Sequence, residues 1–284
     1  MAIPQSTQSQ MTLPHNNDLA EFDIKKRWEF RPPVDFPHAR ARGWGFDKYG
    51  LWQEFRVEGV RFQMRYIPPG RFLMGSPVDE PNRFKESEQQ HQVSITRGFW
   101  LGEAAVTQAL WLELMGSNPS NFNSEKNTSY TLDHPVEQVS WDDCQIFLEK
   151  LNEKLSGGRF ALPTEAQWEY ACRAGTVTPF YTGRQMTTDQ ANYDGNYPYE
   201  GGEQGVYREH TVPVKSFSPN AWGLYQMSGN VYEWCADGMR EYDSEAVEDP
   251  LGPLDDGAES SRVLRGGSWS YDAGACRSAS RDAG

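Results

Sequence analysis

Apolar and polar positions alternate from Leu51 onward, with Phe55, Val57, Val60, Phe62, Met64 and Tyr66 on the apolar phase. A period of two marks strands, and Pro68, Pro69 and Gly70 supply a turn after them. Residues 71–75 predict a further short strand, and residues 92–96 and 98–102 predict two more. The period then lengthens. Leu110, Trp111, Leu114 and Met115 recur at helical spacing, with Thr107 placed to cap the first turn and Gly116 to end the last. Cys144, Phe147, Leu148, Leu151 and Leu155 form a second stripe behind a Ser140/Asp143 capping box. Thr164 and Gln167 form another box, opening a short helix through Ala171 that ends near Gly175. Beyond Gly175 the helical signals stop and short apolar pieces lie between turn clusters. The pattern predicts an α+β domain with its helices early and its loops late.

Composition sharpens this picture. The chain has 284 residues, 26 of them Gly and 18 Pro, and 13% are aromatic, which suits a folded, turn-rich domain rather than a disordered chain. Residues 1–20 read as a disordered polar tail and 21–45 as an arm or linker, leaving 46–284 as the globular part. The formal charge of −13 argues against nucleic acid as a partner. Nine carboxylates against Arg240 alone fall between Asp237 and Ser260. That segment reads as a solvated loop, a cation site or a docking surface for a basic partner. No run is long and apolar enough to span a membrane, and the first residues do not form a signal peptide, so the expected location is cytoplasmic. The four cysteines, Cys144, Cys172, Cys235 and Cys276, are far apart and give neither a disulfide scaffold nor a zinc ribbon.

Chemical motifs are sparse. His15, His38, His91, His134 and His210 lack metal-ligand spacing, and no phosphate-binding glycine loop or nucleophile elbow occurs. What remains is two aromatic, glycine-rich blocks at 222–234 and 262–269. A glycine turn followed by a glutamate could hold a hard cation such as calcium through backbone and carboxylate oxygens, or could simply be a packed turn.

Several stretches together resemble the formylglycine-generating-enzyme (sulfatase-modifying-factor) family: 67–76 (IPPGRFLMGS), 106–108 (VTQ), 134–136 (HPV), 139–141 (VSW), 162–171 (LPTEAQWEYA), 223–225, 229–234 (GNVYEW) and 265–269 (RGGSW). They follow the family's order over roughly residues 50–281. The resemblance implies an elaborated C-type-lectin-like fold. It also implies, for the family's enzymes, oxidation of a sulfatase cysteine by molecular oxygen at copper held by two cysteines. Other branches are an iron-dependent sulfoxide synthase, an exported factor of pyoverdine maturation, and non-catalytic binding proteins. The last include the variable proteins of diversity-generating retroelements.

Departures from the family pattern select among these. Tyr271 stands at the first cysteine position and Cys276 at the second, so one thiolate replaces the pair that cuprous ion favours. Ser268 matches the family's active-site serine, and Tyr232 stands where the enzymes carry tryptophan. The expectation is therefore a non-catalytic module for a protein or peptide ligand, without copper. Its binding face is expected at Trp234, Ser268, Trp269, Tyr271, Cys276 and Arg277. An oxygen-dependent oxidase, with Cys276 and Ser268 as its catalytic residues, and an accessory or sensor subunit are the alternatives. The family's calcium ligands carry over in part. Gln226, Gly229, Val231 and Glu233 would form one site, and Asn192 with the Tyr193 backbone a second, where Val206 replaces an acid. The stretch after the last arginine is shorter than the family's, so the closing strand is expected to be missing.

Overall fold

The computed structural model describes residues 33, 35–84, 87–156, 159–253 and 261–284. The tail at 1–20 lies outside the described residues, as does most of the arm at 21–45. Strands β1 (Gly43–Asp47), β2 (Gly50–Val57) and β3 (Val60–Ile67) form an antiparallel meander. β6 (Phe99–Gly102) extends it, giving the order β1-β2-β3-β6. The sheet thus begins at Gly43, three residues inside the predicted arm. The segment before it is also engaged: the Phe36 ring stacks on Trp100 at 5.5 Å, and the His38 amide donates to Gln53 Oε1 at 3.1 Å.

Two helices, α1 (Gln108–Met115) and α2 (Trp141–Lys154), cover one face of this sheet. Their caps are those the sequence predicts. Thr107 accepts from the Leu110 amide, Gly116 takes the left-handed conformation, and the Ser140/Asp143 box is closed in both directions. The apolar stripes meet Phe55 and Val57, with Trp111 stacked on Phe147 at 5.1 Å. Such a pair adds about 0.5–1.5 kcal/mol beyond the burial of its area.

A second core surrounds α3 (Glu165–Arg173), which runs two residues past the predicted end. Trp168, Ala171 and Cys172 are fully buried there against Ile67, Met74, Val93, Leu224, Cys235 and Val263. Ile67 ends β3 and Leu224 lies in a loop, while the other four come from two three-stranded sheets. One contains β4 (Gly70–Met74), β5 (His91–Ile95) and β8 (Val247–Glu248); the other is built from three further strands. In the latter, β7 (Glu233–Gly238) and β10 (Arg281–Ala283) flank β9 (Arg262–Arg265). Residues 281–283 pair with β9 over three residues. The wide loops between α3 and β7 close over a small third cluster, in which Phe180, Tyr193 and Tyr199 enclose Ala273 and Cys276.

Candidate ligand-binding site

The site grows out of the end of β9. Gly266 and Gly267 both have positive φ, at 95° and 70°, a conformation that side chains resist. Space demands glycine as well. A Cβ on Gly267 would lie 2.6 Å from Cys276 Sγ, and one on Gly266 would lie 3.2 Å from the Trp168 ring. The double turn lays the backbone over the Cys276 sulfur and then delivers residues 269–272 to the surface. The Tyr271 amide donates to Ser268 O at 3.2 Å. Asp272 then caps a single 3-10 turn, Ala273–Cys276, by accepting from the Ala275 amide at 3.0 Å.

Tyr271 is 46% exposed and meets Tyr232 edge to face at 5.1 Å. Its carbonyl accepts from the Asp194 amide at 2.9 Å, and the Ala273 amide donates to Tyr197 O at 3.2 Å. These bonds dock the 194–201 loop beside it. Between the two loops lies a cavity of about 430 Å³, lined by Asn82, Asn196, Tyr197, Tyr199 and Asp272 among others. Tyr197, 64% exposed, stands at its rim.

Trp269 is half-buried. Its ring meets Phe122 edge to face at 5.3 Å and stacks on Tyr207 at 6.1 Å. The aromatic run continues through Phe122 to Tyr130, with His134 and His210 each about 5.5 Å from the Tyr130 ring. Burial, and then the neighbouring His210, lower the His134 pKa. The sequence shows these two histidines only as scattered residues. The sole hint is that His134 lies within one of the family-like stretches.

The remaining predicted face residues lie elsewhere. Arg277 is fully buried and forms a two-pronged ion pair with Glu88, both bonds 2.8 Å, and a 2.6 Å bond to Glu80. It cannot contribute to a surface, because its donors are consumed inside. Cys276 is also fully buried. Burial, with the Asp272 charge second, pushes its thiol far above the usual range, so it is neither exposed nor a thiolate. Trp234 donates its indole N–H to Val139 O at 3.1 Å and packs beside Gly284. Ser268 is 8% exposed, with Ser270 Oγ 3.1 Å from its hydroxyl. Of the six predicted face residues, Ser268, Cys276 and Arg277 are buried, Trp234 and Trp269 are half-buried, and Tyr271 is exposed.

The residues present do not fit a two-thiolate copper centre. Tyr271 offers a phenol, and the single thiol is sealed below the glycine turn. The calcium set fits in part. Burial pushes the Glu233 carboxyl up to about 7, and its one hydrogen bond among the described residues comes from Trp168 Nε1 at 2.8 Å. A cation would supply the missing charge. In the second set Asn192 Oδ1 is buried without a partner, an oxygen open to a cation. Gln226 fits poorly, because its Oε1 accepts from the Lys215 amide at 2.8 Å while its amide nitrogen is the unpartnered end. Gly229 is required by packing whether or not a cation binds, since a Cβ there would lie 2.3 Å from Asn192 O. Val231 donates its amide to Gly229 O at 3.0 Å, and the Tyr193 hydroxyl donates to Met186 O at 3.0 Å.

Three small sheets around three capped helices, with long loops carrying the site, define an elaborated C-type-lectin-like domain. Residues 54–284 match the family described as "Sulfatase-modifying factor enzyme 1-like domain", and the chain belongs to it. It is 32% identical over 282 residues to the formylglycine-generating enzyme of Streptomyces coelicolor, covering 94% of this chain and 81% of that protein. With the formylglycine-generating enzyme of Thermomonospora curvata it shares 37% identity over 145 residues, 48% of this chain and 45% of that enzyme. Among solved structures, Treponema denticola variable protein 1 superposes with a TM-score of 0.64 at 28% identity, covering 82% of this chain and 92% of that one. No described helix is long and apolar enough to cross a membrane.

Proposed function

We propose that this chain is a non-catalytic binding module on the formylglycine-generating-enzyme-type fold. It recognises a protein or peptide through Tyr271, Tyr197 and the cavity lined by Tyr197 and Asp272. The observation that carries this reading is the pair of positions 271 and 276. One presents an exposed phenol and the other a buried, protonated thiol, so the two-thiolate chemistry of the family's enzymes has no donor set here. The same exchange favours binding, since tyrosine buries a large area at low entropic cost. The structural likeness to a variable protein agrees with this reading. Calcium, held by Glu233 with backbone oxygens of the Gly229 turn, would act as a structural ion that joins the aromatic block to the site.

Two measurements test the reading. Incubation with copper, oxygen, reductant and a Cys-x-Pro-x-Arg peptide should leave the peptide mass unchanged. Aldehyde formation above a trace replaces the binding reading with the oxidase. Selection from a random displayed-peptide library should yield ligands that Tyr271→Ala releases. For calcium, chelator should lower the melting temperature and added calcium restore it, and Glu233→Gln should remove that response. No effect of chelator leaves the 226–233 segment as a packed turn.

A further inference from the structure

A second cavity lies away from the Tyr271 face. It has a volume of about 320 Å³ and sits between β2, β3 and β6 on one side and residues 159–163, leading into α3, on the other. Its walls are mainly apolar: Phe55, Met64, Trp100, Leu101, Phe160 and Leu162. The size and character are those of a small-molecule site. Nothing in the family-like motifs around 229–234 and 265–269 contributes to it.

Its polar lining has one consistent property. Four polar side chains take part: His38, Gln53, Arg159 and Gln167. The acceptor half of each that has one is already engaged. Gln53 Oε1 accepts from the His38 amide at 3.1 Å. Gln167 Oε1 closes the α3 capping box by accepting from the Thr164 amide at 3.0 Å. His38 Nδ1 accepts from the Arg40 amide at 3.1 Å, which leaves the proton of the neutral ring on Nε2. Both glutamine side-chain nitrogens are without a hydrogen-bond partner among the described residues, and Arg159 is exposed with no ion pair among them. The cavity therefore offers hydrogen-bond donors and one fixed positive charge beside an apolar wall, in a protein whose net charge is −13.

We infer that this cavity binds a small amphiphilic carboxylate, with its alkyl or aryl part against Phe55, Leu101 and Phe160 and its anionic head toward Arg159 and the amide and imidazole donors. A carboxylate is acceptor-only and can take several donors at once. An ammonium head would face only donors and a like charge. A neutral amide would gain part of the hydrogen bonding without the ion pair.

Calorimetric titration of the full chain with octanoate, octanamide and octylammonium tests this. Octanoate should saturate one site. Octanamide should bind at least about tenfold more weakly, and octylammonium should not bind. Arg159→Gln, an exposed change with little to unfold, should cost octanoate about tenfold in affinity and leave octanamide unchanged. Leu101→Trp, checked for a native melting transition, should fill the cavity and remove binding of both. Three outcomes overturn the proposal: no saturation by octanoate up to about 5 mM, equal affinity for the three head groups, or an Arg159→Gln loss as large for the amide as for the acid. The first holds whether the cavity closes or residues of the chain itself fill it.

Discussion

The segment from Ser268 to Arg281 has two halves with opposite uses. Residues 269–272 form the outer half, where Tyr271 is 46% exposed and its side chain bears on Tyr232 alone among the described rings. The inner half, 273–281, is mostly buried, and its two arginines are wholly enclosed. Arg277 joins Glu80 and Glu88, while Arg281 grips Glu165 with bonds of 2.6 and 2.9 Å. Arg265 shares that Glu165 and also pairs with Glu169, which in turn holds Arg173. Carboxylates from the 80–88 loop and from α3 thus anchor the C-terminal segment from below. The lesson is that a large polar side chain next to an exposed loop can be its foundation rather than its face.

The largest effect should come from cutting the foundation. Arg277→Ala leaves Glu88 buried without its partner, which costs about 3–5 kcal/mol and should appear as a lower urea midpoint. A loss below about 1 kcal/mol would mean that water reaches the pair and that the two halves differ less than their burial suggests. On the outer half the effects should divide the other way. Tyr271→Ala should weaken a library-selected peptide by more than about 1 kcal/mol. The same change should alter stability by no more than about 0.5 kcal/mol, read from the same denaturation curve. If Tyr271→Ala instead unfolds the protein, the outer half is also structural.

A smaller, pH-dependent effect sharpens the boundary between them. His134 lies under the aromatic run and its pKa is lowered by burial. Below about 6.5 the unfolded chain takes up a proton that the folded one resists, so this contribution to stability is present above 6.5 and is lost as pH falls through the folded value. His134→Gln should flatten that part of the stability profile, and an unchanged slope would place the slope in other groups. The smallest effect concerns chemistry. Burial pushes Cys172 to about 12 and Cys276 still higher, so neither should react with an aromatic disulfide reagent in native protein at pH 8, whereas both should in urea. Rapid native labelling of Cys276 would reopen the oxidase reading.

The helices were legible because their signals are local. Thr107, Ser140 and Thr164 each lie within three residues of the amides they cap. The fold class and the tyrosine at position 271 were legible through motif order. Arg277 was not. Its carboxylate partners lie 189 and 197 residues away, and a guanidinium that suits an interface suits an interior pair equally well. Trp234 is anchored similarly, since period and motif do not reveal that its indole donates to Val139 O. The aromatic run was hidden because Phe122, Tyr207 and Trp269 come from three distant segments. The three-residue pairing of 281–283 was missed because so short a strand carries no periodic signal.

At position 271 the main chain and the side chain do separate jobs. The amide and carbonyl of Tyr271 fix the loop, through Ser268 and Asp194, whatever side chain the residue carries. Trp269 likewise holds its place by donating its backbone N–H to Asn230 O. Such a surface can be rewritten: substitutions at 271 exchange its chemistry while the backbone bonds keep the loop's shape, so its side chains can change without the fold being lost first.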